Sequence, residues 1–104
     1  MNVIADISII PIGVGVSLSK YVAACERILM QAGLKSQLHA NGTNVEGQWD
    51  VVFNAIKECH EVLHAMDVPR VSSNLRVGTR MDKAQTMQDK INSVEDKIDP
   101  EIVP

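Results

Sequence analysis

The spacing of apolar residues in this chain switches between a period of two and a helical period, and the order of the switches constrains the fold more than any single motif. Period two over residues 3–11, and again over 70–78, predicts two strands that each bury one face. Helical spacing over 18–32 and over about 49–66 predicts two amphipathic helices. Strands and helices are therefore expected to interleave within a single domain spanning 1–104.

Two short strands are expected between those helices, at about 35–40 and 43–47, with Asn41-Gly42 as the tight turn that joins them. The resulting order is strand, helix, strand, strand, helix, strand, with one more helix at the end. This order predicts an α+β fold, the ferredoxin-like βαββαβ plait, in which two helices cover one face of a four-stranded antiparallel sheet. The C-terminal helix is an addition to that core.

Polar residues at the helix ends predict where the helices begin and stop. Ser17 or Ser19 can cap the first helix. Asp82 with Gln85 predicts a capping box for the last helix, and Asp99-Pro100 is expected to close it.

The two long strands are expected to share a face that points away from the helices. Their even positions there are half apolar and half polar: Ile4, Asp6, Ser8 and Ile10 beside Ser72, Asn74 and Arg76. A face of this mixed character is typical of a surface that a partner subunit, the added helix or a ligand covers.

Composition excludes several classes of function. A formal net charge of −3 argues against nonspecific binding to nucleic acid or to an anionic membrane surface. No apolar run reaches the ~18 residues that a membrane span needs. The two cysteines, Cys25 and Cys59, fall on the apolar stripes of the predicted helices, which indicates reduced, buried thiols and a cytoplasmic protein.

Three motifs suggest cofactor chemistry, and each has a simpler interpretation. His60 and His64 complete an H-E-x-x-H pattern, but both lie off the apolar stripe, so we expect a solvated helix flank rather than a zinc site. Gly13 and Gly15 lack the third glycine and the later acid of a dinucleotide fingerprint, so we expect a turn. The predicted strands carry no aromatic residue on which a base could stack, and two cysteines are too few for an iron-sulfur cluster. No cofactor is expected.

Several segments in a fixed order resemble the thiamine-binding-protein family of small ferredoxin-like domains, and together they cover most of the chain. They are A-D-I-S-I-I-P-I-G at 5–13, S-L-S-K-Y-V at 17–22, H-A-N-G-T-N-V-E-G at 39–47, R-V-S-S-N-L-R-V at 70–77 and R-M-D-K-A-Q-T-M-Q-D-K at 80–90. The budding-yeast member of the family is one candidate identity. The resemblance implies a homodimer or homotetramer that binds thiamine or its pyrimidine portion without turning it over.

Thiamine carries a positive charge and an aminopyrimidine edge, so its site needs acids and small polar groups over a partly apolar floor. The candidate residues lie in two places: Asp6, Ser8, Asn74 and Arg76 on the long strands, and Thr43, Asn44 and Glu46 in the segment before the second helix. Of these residues, Glu46 is the expected charged anchor. Glu46 could instead stabilise a helix N-terminus, and Arg76 could pair with Asp6. The alternative function is a ligand-free structural or regulatory interaction module assembled through the sheet face. An enzyme is not expected, because no pair of residues has an evident nucleophile and base relation.

Overall fold

The computed structural model describes residues 1–98 and has the predicted ferredoxin-like α+β fold. Seven elements follow one another: β1 (Asn2–Ile12), α1 (Ser19–Gln31), β2 (Lys35–His39), β3 (Gly42–Gln48), α2 (Trp49–Ala65), β4 (Arg70–Gly78) and α3 (Met87–Glu95). The strands form one antiparallel sheet in the order β2-β3-β1-β4. None of the helices in the described part is long and apolar enough to cross a membrane.

The alternation in β1 sets the two faces of the sheet as predicted. Val3, Ala5 and Ile7 are each at most 2% exposed and lie among the residues of α1 and α2 that form the core. Asp6 and Ile10, at the intervening positions, are exposed. Because side chains alternate across a strand, a shift of register by one residue would expose this apolar set, so the pattern fixes the register.

The helix stripes bury their predicted residues against the sheet. Leu29 of α1 and Leu63 of α2 are fully buried, and each such side chain contributes about 1.5 to 3 kcal/mol when it leaves water. Cys25 and Cys59 are both free thiols buried in this core, as the sequence predicts. Their helices touch closely enough for the Cys59 thiol to lie 3.8 Å from the Cys25 carbonyl oxygen.

The predicted helix caps are wrong at two ends. Leu18 occupies the N-cap of α1, and no side chain caps it. The last helix begins at Met87 instead of near Asp82, because the carboxylate of Asp82 is taken by the guanidinium of Arg80. The described helix ends at Glu95; the end predicted at Asp99-Pro100 lies outside the described residues.

Thr86 and Asp89 form the capping box that starts α3. Each donates a main-chain N–H to the other's side chain over 3.0 Å, which satisfies two of the groups left open at a helix start. Met87, the first residue of α3, is buried and its N–H reaches Glu46 on β3. The start of α3 therefore rests on the sheet face that α1 and α2 leave open.

The turn between β2 and β3 is one residue earlier than predicted. Ala40 and Asn41 form it, and Gly42 already belongs to β3. A Cβ at Gly42 would lie 2.6 Å from the carbonyl oxygen of Ile7, closer than real Cβ contacts come. Glycine is required here because β1 passes so near.

Candidate functional site

A cavity opens where β1 continues beyond the point at which its antiparallel neighbour β3 begins. The β1–β3 pairing stops at Ile7 and Thr43, whereas the β1–β4 pairing continues to Ile12 and Arg70. The gap on this side of β1 is enclosed by α1 and by the β2–β3 turn. We call it the edge cavity; it measures about 210 Å³ and is lined from residues 7–10, 18–29 and 38–43.

The main chain of Ile9 faces this cavity and has no partner on the β3 side, although Ile9 is in register with Ser73 of β4 on the other side. The Ile7 carbonyl oxygen points toward Gly42, on the β3 side of β1. Main-chain groups of alternate residues point to the same side of a strand. The N–H and C=O of Ile9 therefore point to the same side as those of Ile7, but at a position that lies beyond the first residues of β3. Ile9 thus offers one donor and one acceptor next to each other.

Glu26 of α1 supplies a carboxylate to the same cavity. Thr43, which is 5% exposed on the helix-facing side of β3, donates its hydroxyl to Glu26 Oε1. Within residues 1–98, Glu26 Oε2 has no hydrogen-bond or ion-pair partner. One oxygen of Glu26 is therefore held by the protein, and the other is available to a bound molecule.

Apolar side chains form the rest of the walls, contributed by α1 and the end of β2: Leu18, Val22, Leu29 and Leu38. Residue Cys25 also lines the cavity, and the interaction between its thiol and the neighbouring Cys59 thiol lowers the pKa of Cys25 while raising the pKa of Cys59. Apolar walls, one carboxylate and an adjacent main-chain donor and acceptor suit a flat heterocycle that carries an amino group and a positive charge.

The other face of the sheet holds a second group of predicted residues. Asp6, Asn44 and Arg76 line a cavity of about 360 Å³ there, together with Lys90 of α3. Asp6 and Arg76 are register partners, but the Asp6 carboxylate lies 2.8 Å from His39 Nε2, and Arg76 has no ion pair within 4.0 Å in the described residues. The alternative in which Arg76 pairs with Asp6 is therefore wrong.

Ser8 and Asn74 are also register partners in the long strands. Asn74 is exposed on the open face, and Ser8 is half-buried and borders the edge cavity. Thr43 points to the helix side, so it lies apart from Asn44 although the two are adjacent in sequence. The predicted site residues are thus divided between the two faces.

Glu46 is held by protein groups on both of its oxygens. Oε2 accepts the Met87 N–H over 3.0 Å, and Oε1 lies 3.6 Å from Lys35 Nζ. Its side chain is only 9% exposed. The geometry favours a structural role at a helix N-terminus, where an acid is stabilising, but the helix is α3 and not the neighbouring α2.

The two histidines of the H-E-x-x-H pattern are both engaged with the protein. His60 Nε2 contacts the Ser73 hydroxyl of β4, and His64 Nδ1 lies 2.8 Å from the Val68 carbonyl oxygen. His60 is partly buried, so the predicted solvated flank is wrong for this residue. Among residues 1–98 no three His, Cys, Asp or Glu side chains are grouped to hold a metal ion.

Sequence reasoning missed Glu26, the Ile9 main chain and Lys90. Glu26 is four residues after Val22 and next to Cys25, so its position places an acid at the border of the apolar stripe of α1, which could have indicated a carboxylate near the core. No sequence pattern could have indicated the Ile9 main chain, because its lack of a β3 partner depends on where β3 begins.

Comparison with known proteins gives a consistent result. A family model described as thiamine-binding protein matches residues 5–95. A UPF0045 protein of Synechocystis is 57% identical over 95 residues, which cover 91% of this chain and 78% of that protein. A UPF0045 protein of Eremothecium gossypii is 39% identical and covers 94% of both chains.

Solved structures match the fold. A hypothetical protein from Methanocaldococcus jannaschii superposes with a TM-score of 0.84 at 38% identity, covering 90% of this chain and 96% of that one. A candidate thiamine biosynthesis/salvage protein from Thermotoga maritima superposes with a TM-score of 0.77, covering 90% and 99%. At 18% identity this second likeness concerns the fold alone.

Proposed function

Because this chain belongs to the thiamine-binding protein family, we propose that it binds thiamine or a related pyrimidine and does not convert it. The observation that carries the proposal is that two groups line the edge cavity without a protein partner there: Glu26 Oε2, within residues 1–98, and the main chain of Ile9 on the side of β1 that faces β3. We assign the ligand to this cavity, with Ser8 and Thr43 of the predicted residues at its border.

The chemistry of an aminopyrimidine matches those groups. Its amino group is a donor and the neighbouring ring nitrogen an acceptor, which complements the C=O and N–H of Ile9. The second ring nitrogen can donate to the Glu26 carboxylate when it is protonated, and the nearby positive charge of a thiazolium is suited to the same carboxylate. Apolar side chains such as Leu18 and Leu29 would cover the ring faces in place of aromatic residues.

The size of the cavity favours one ring over the whole molecule. At about 210 Å³ it is smaller than the ~300–1,000 Å³ of pockets that bury a drug-sized ligand. We therefore expect the pyrimidine portion to be enclosed and the thiazolium portion to lie toward the opening beside Leu38, which is 61% exposed.

Binding without catalysis is supported by what surrounds the ligand. Ser73 and Thr43 each bring a hydroxyl group into contact with a base. Ser73 meets His60, and neither borders a described cavity. Thr43 meets Glu26 at the edge cavity, but Thr43 is only 5% exposed, which shields its hydroxyl from a bound molecule. The Cys25 thiol does border the edge cavity, but residue Cys25 is 6% exposed, and the titratable group that acts most strongly on its thiol is the Cys59 thiol rather than a base.

A homo-oligomer in the cytoplasm completes the proposal. The apolar stripe of α3 buries only Met87, while Val94 is 62% exposed and Ile98 is 45% exposed beyond the end of the helix. A second subunit would cover this stripe together with Ile10 and Ile12, which lie at the opposite end of the β1–β4 pair from Ile4 and Gly78. Light scattering is expected to give a mass of two or four times 11.4 kDa, and an 11.4 kDa particle at micromolar concentration would reject the oligomer.

Calorimetry tests the binding. We expect saturable heat with thiamine and with its pyrimidine precursor, and no heat with the isolated thiazole alcohol, because the groups that select the ligand contact the pyrimidine. An absence of heat with all three at millimolar concentration would reject the proposal. It would favour the second candidate, a ligand-free interaction module, which the exposed α3 stripe also supports.

A further inference from the structure

Two adjoining cavities on the open sheet face form a groove that the proposed thiamine site does not use. One measures about 360 Å³ and the other about 540 Å³, and both are bordered by Ile4, Gly78 and Lys90. We call them together the sheet-face groove. Its floor is the middle of the sheet, at β1 and β4, and α3 with the segment before it forms one wall.

Cationic side chains dominate the groove although the chain as a whole is acidic. Arg76, Lys83 and Lys90 line it, and within residues 1–98 none of the three has a carboxylate within 4.0 Å. The net charge of −3 makes such a local excess of unpaired cations uncommon enough to need a reason.

The acids near the groove are already engaged. Asp6 pairs with His39, and Asp82 pairs with Arg80 through two hydrogen bonds of 2.5 and 2.8 Å. Asp89 accepts the Thr86 N–H in the capping box of α3. Asp82 and Asp89 still lie close enough to Lys83 for their charges to interact with it, so Arg76 and Lys90 are the cations of the groove with the least compensation.

Neutral donors extend the same surface. Asn2, Thr79 and Thr86 border the larger cavity and Asn44 the smaller, and each carries hydrogen-bonding groups suited to phosphate oxygens. The N–H groups at the start of α3 are not proposed as part of the site. The Thr86 N–H already donates to Asp89, and the Met87 N–H already donates to Glu46. The side chains carry the site.

We propose that the sheet-face groove is a second ligand site, which binds the phosphate group of a small phosphorylated molecule. Lys90 borders both cavities and would contact the phosphate, with Arg76 on one side and Lys83 on the other. The apolar floor at Ile4 and the absence of a side chain at Gly78 leave room for the organic part. The site is distinct from the edge cavity, whose carboxylate selects a cation.

Two-dimensional ¹H–¹⁵N NMR of the full chain tests this proposal with inorganic pyrophosphate as the probe, at low ionic strength. We expect saturable shifts of the Gly78, Thr79 and Lys90 amides. Lys90→Gln and Arg76→Gln are each expected to weaken the affinity by at least about fivefold, because each removes one charged contact. Lys57→Gln is the matched control: Lys57 is an exposed lysine of α2, in the helix layer, and its loss should leave the affinity unchanged.

Three outcomes would overturn the proposal. They are an absence of saturation at about 10 mM pyrophosphate, equal shifts with sodium chloride at the same ionic strength, and equal losses in Lys57→Gln and Lys90→Gln. Either of the last two outcomes would show that the amide shifts come from general electrostatic attraction of the anion rather than from binding in the groove. A shift of the Ile9 amide by pyrophosphate would assign the anion to the edge cavity instead, which also contradicts a separate site.

Discussion

His39 Nε2 lies 2.8 Å from Asp6 Oδ1, and the two side chains meet over Gly42 although they belong to β2 and β1, which are not neighbours in the sheet. A Cβ at Gly42 would lie 3.3 Å from His39 Cε1 and 3.4 Å from Asp6 Oδ1. His39 borders the edge cavity and Asp6 the sheet-face groove. The pair therefore links the two candidate sites across β3.

Gly42→Ala is expected to destabilise the protein by about 1 to 3 kcal/mol, because its methyl group would meet the Ile7 carbonyl oxygen at 2.6 Å and force β1 and β3 apart. Chemical denaturation measures the change. Gly78→Ala is the matched control, since a Cβ there meets the Ile4 carbonyl oxygen at 3.8 Å, an ordinary contact, and we expect a change within about 0.5 kcal/mol. Equal effects of the two substitutions would contradict the close approach at Gly42.

Glu26→Gln is expected to weaken thiamine binding by about 1.5 to 3 kcal/mol, or about ten- to hundredfold, because the ligand loses a charge-assisted contact. Calorimetry on the variant and the original chain measures the change. Glu58→Gln, at an exposed glutamate of α2, is the control and should bind as the original chain does. An unchanged affinity in Glu26→Gln would remove the edge cavity from the proposal, even if thiamine binds elsewhere.

Glu46→Ala is expected to loosen the start of α3 and to leave thiamine affinity nearly unchanged. The substitution leaves the buried Met87 N–H without its acceptor, which costs about 1 to 3 kcal/mol. Hydrogen exchange at the Met87 amide should become faster, while the amides of α1 keep their protection. A large loss of thiamine affinity with normal exchange at Met87 would restore Glu46 as the ligand anchor.

Acidification is expected to fray the first turn of α3. The hydrogen bond from the Thr86 main-chain N–H holds the pKa of the Asp89 carboxyl below its ordinary value of about 3.8. The capping contribution is therefore complete above that ordinary value and is lost as the pH falls through the lower pKa of the folded state. NMR chemical shifts of residues 87–89 between pH 2 and 6 should follow this loss.

Asp89→Asn is the control for the pH dependence. It removes the titrating group, so the shifts of the first turn should no longer change with the pH in that range. A titration that persists in Asp89→Asn would assign the transition to another acid and contradict the prediction.

The candidate site was only partly predictable from the sequence, and Thr43 and Glu46 illustrate the reason. Both lie in one polar segment of β3, in which the sequence predicts ligand-binding residues. The alternation of a strand sends them to opposite faces, where Thr43 meets Glu26, 17 positions away, and Glu46 meets Met87, 41 positions away. Contacts between residues so far apart in the chain cannot be predicted from the spacing of neighbouring residues.

The sequence by itself determined the element order, the two faces of β1 and β4 and the burial of Cys25 and Cys59, because periodicity and apolar character are properties of neighbouring residues. Only the tertiary structure decided that Glu26 keeps a free oxygen within residues 1–98 while Glu46 does not, and that Ile9 has no partner on the β3 side of β1. Those facts depend on where β3 begins beside β1, and on which helix hydrogen-bonds to each face of β3, α1 to one and α3 to the other. Both are set by contacts between residues far apart in the sequence.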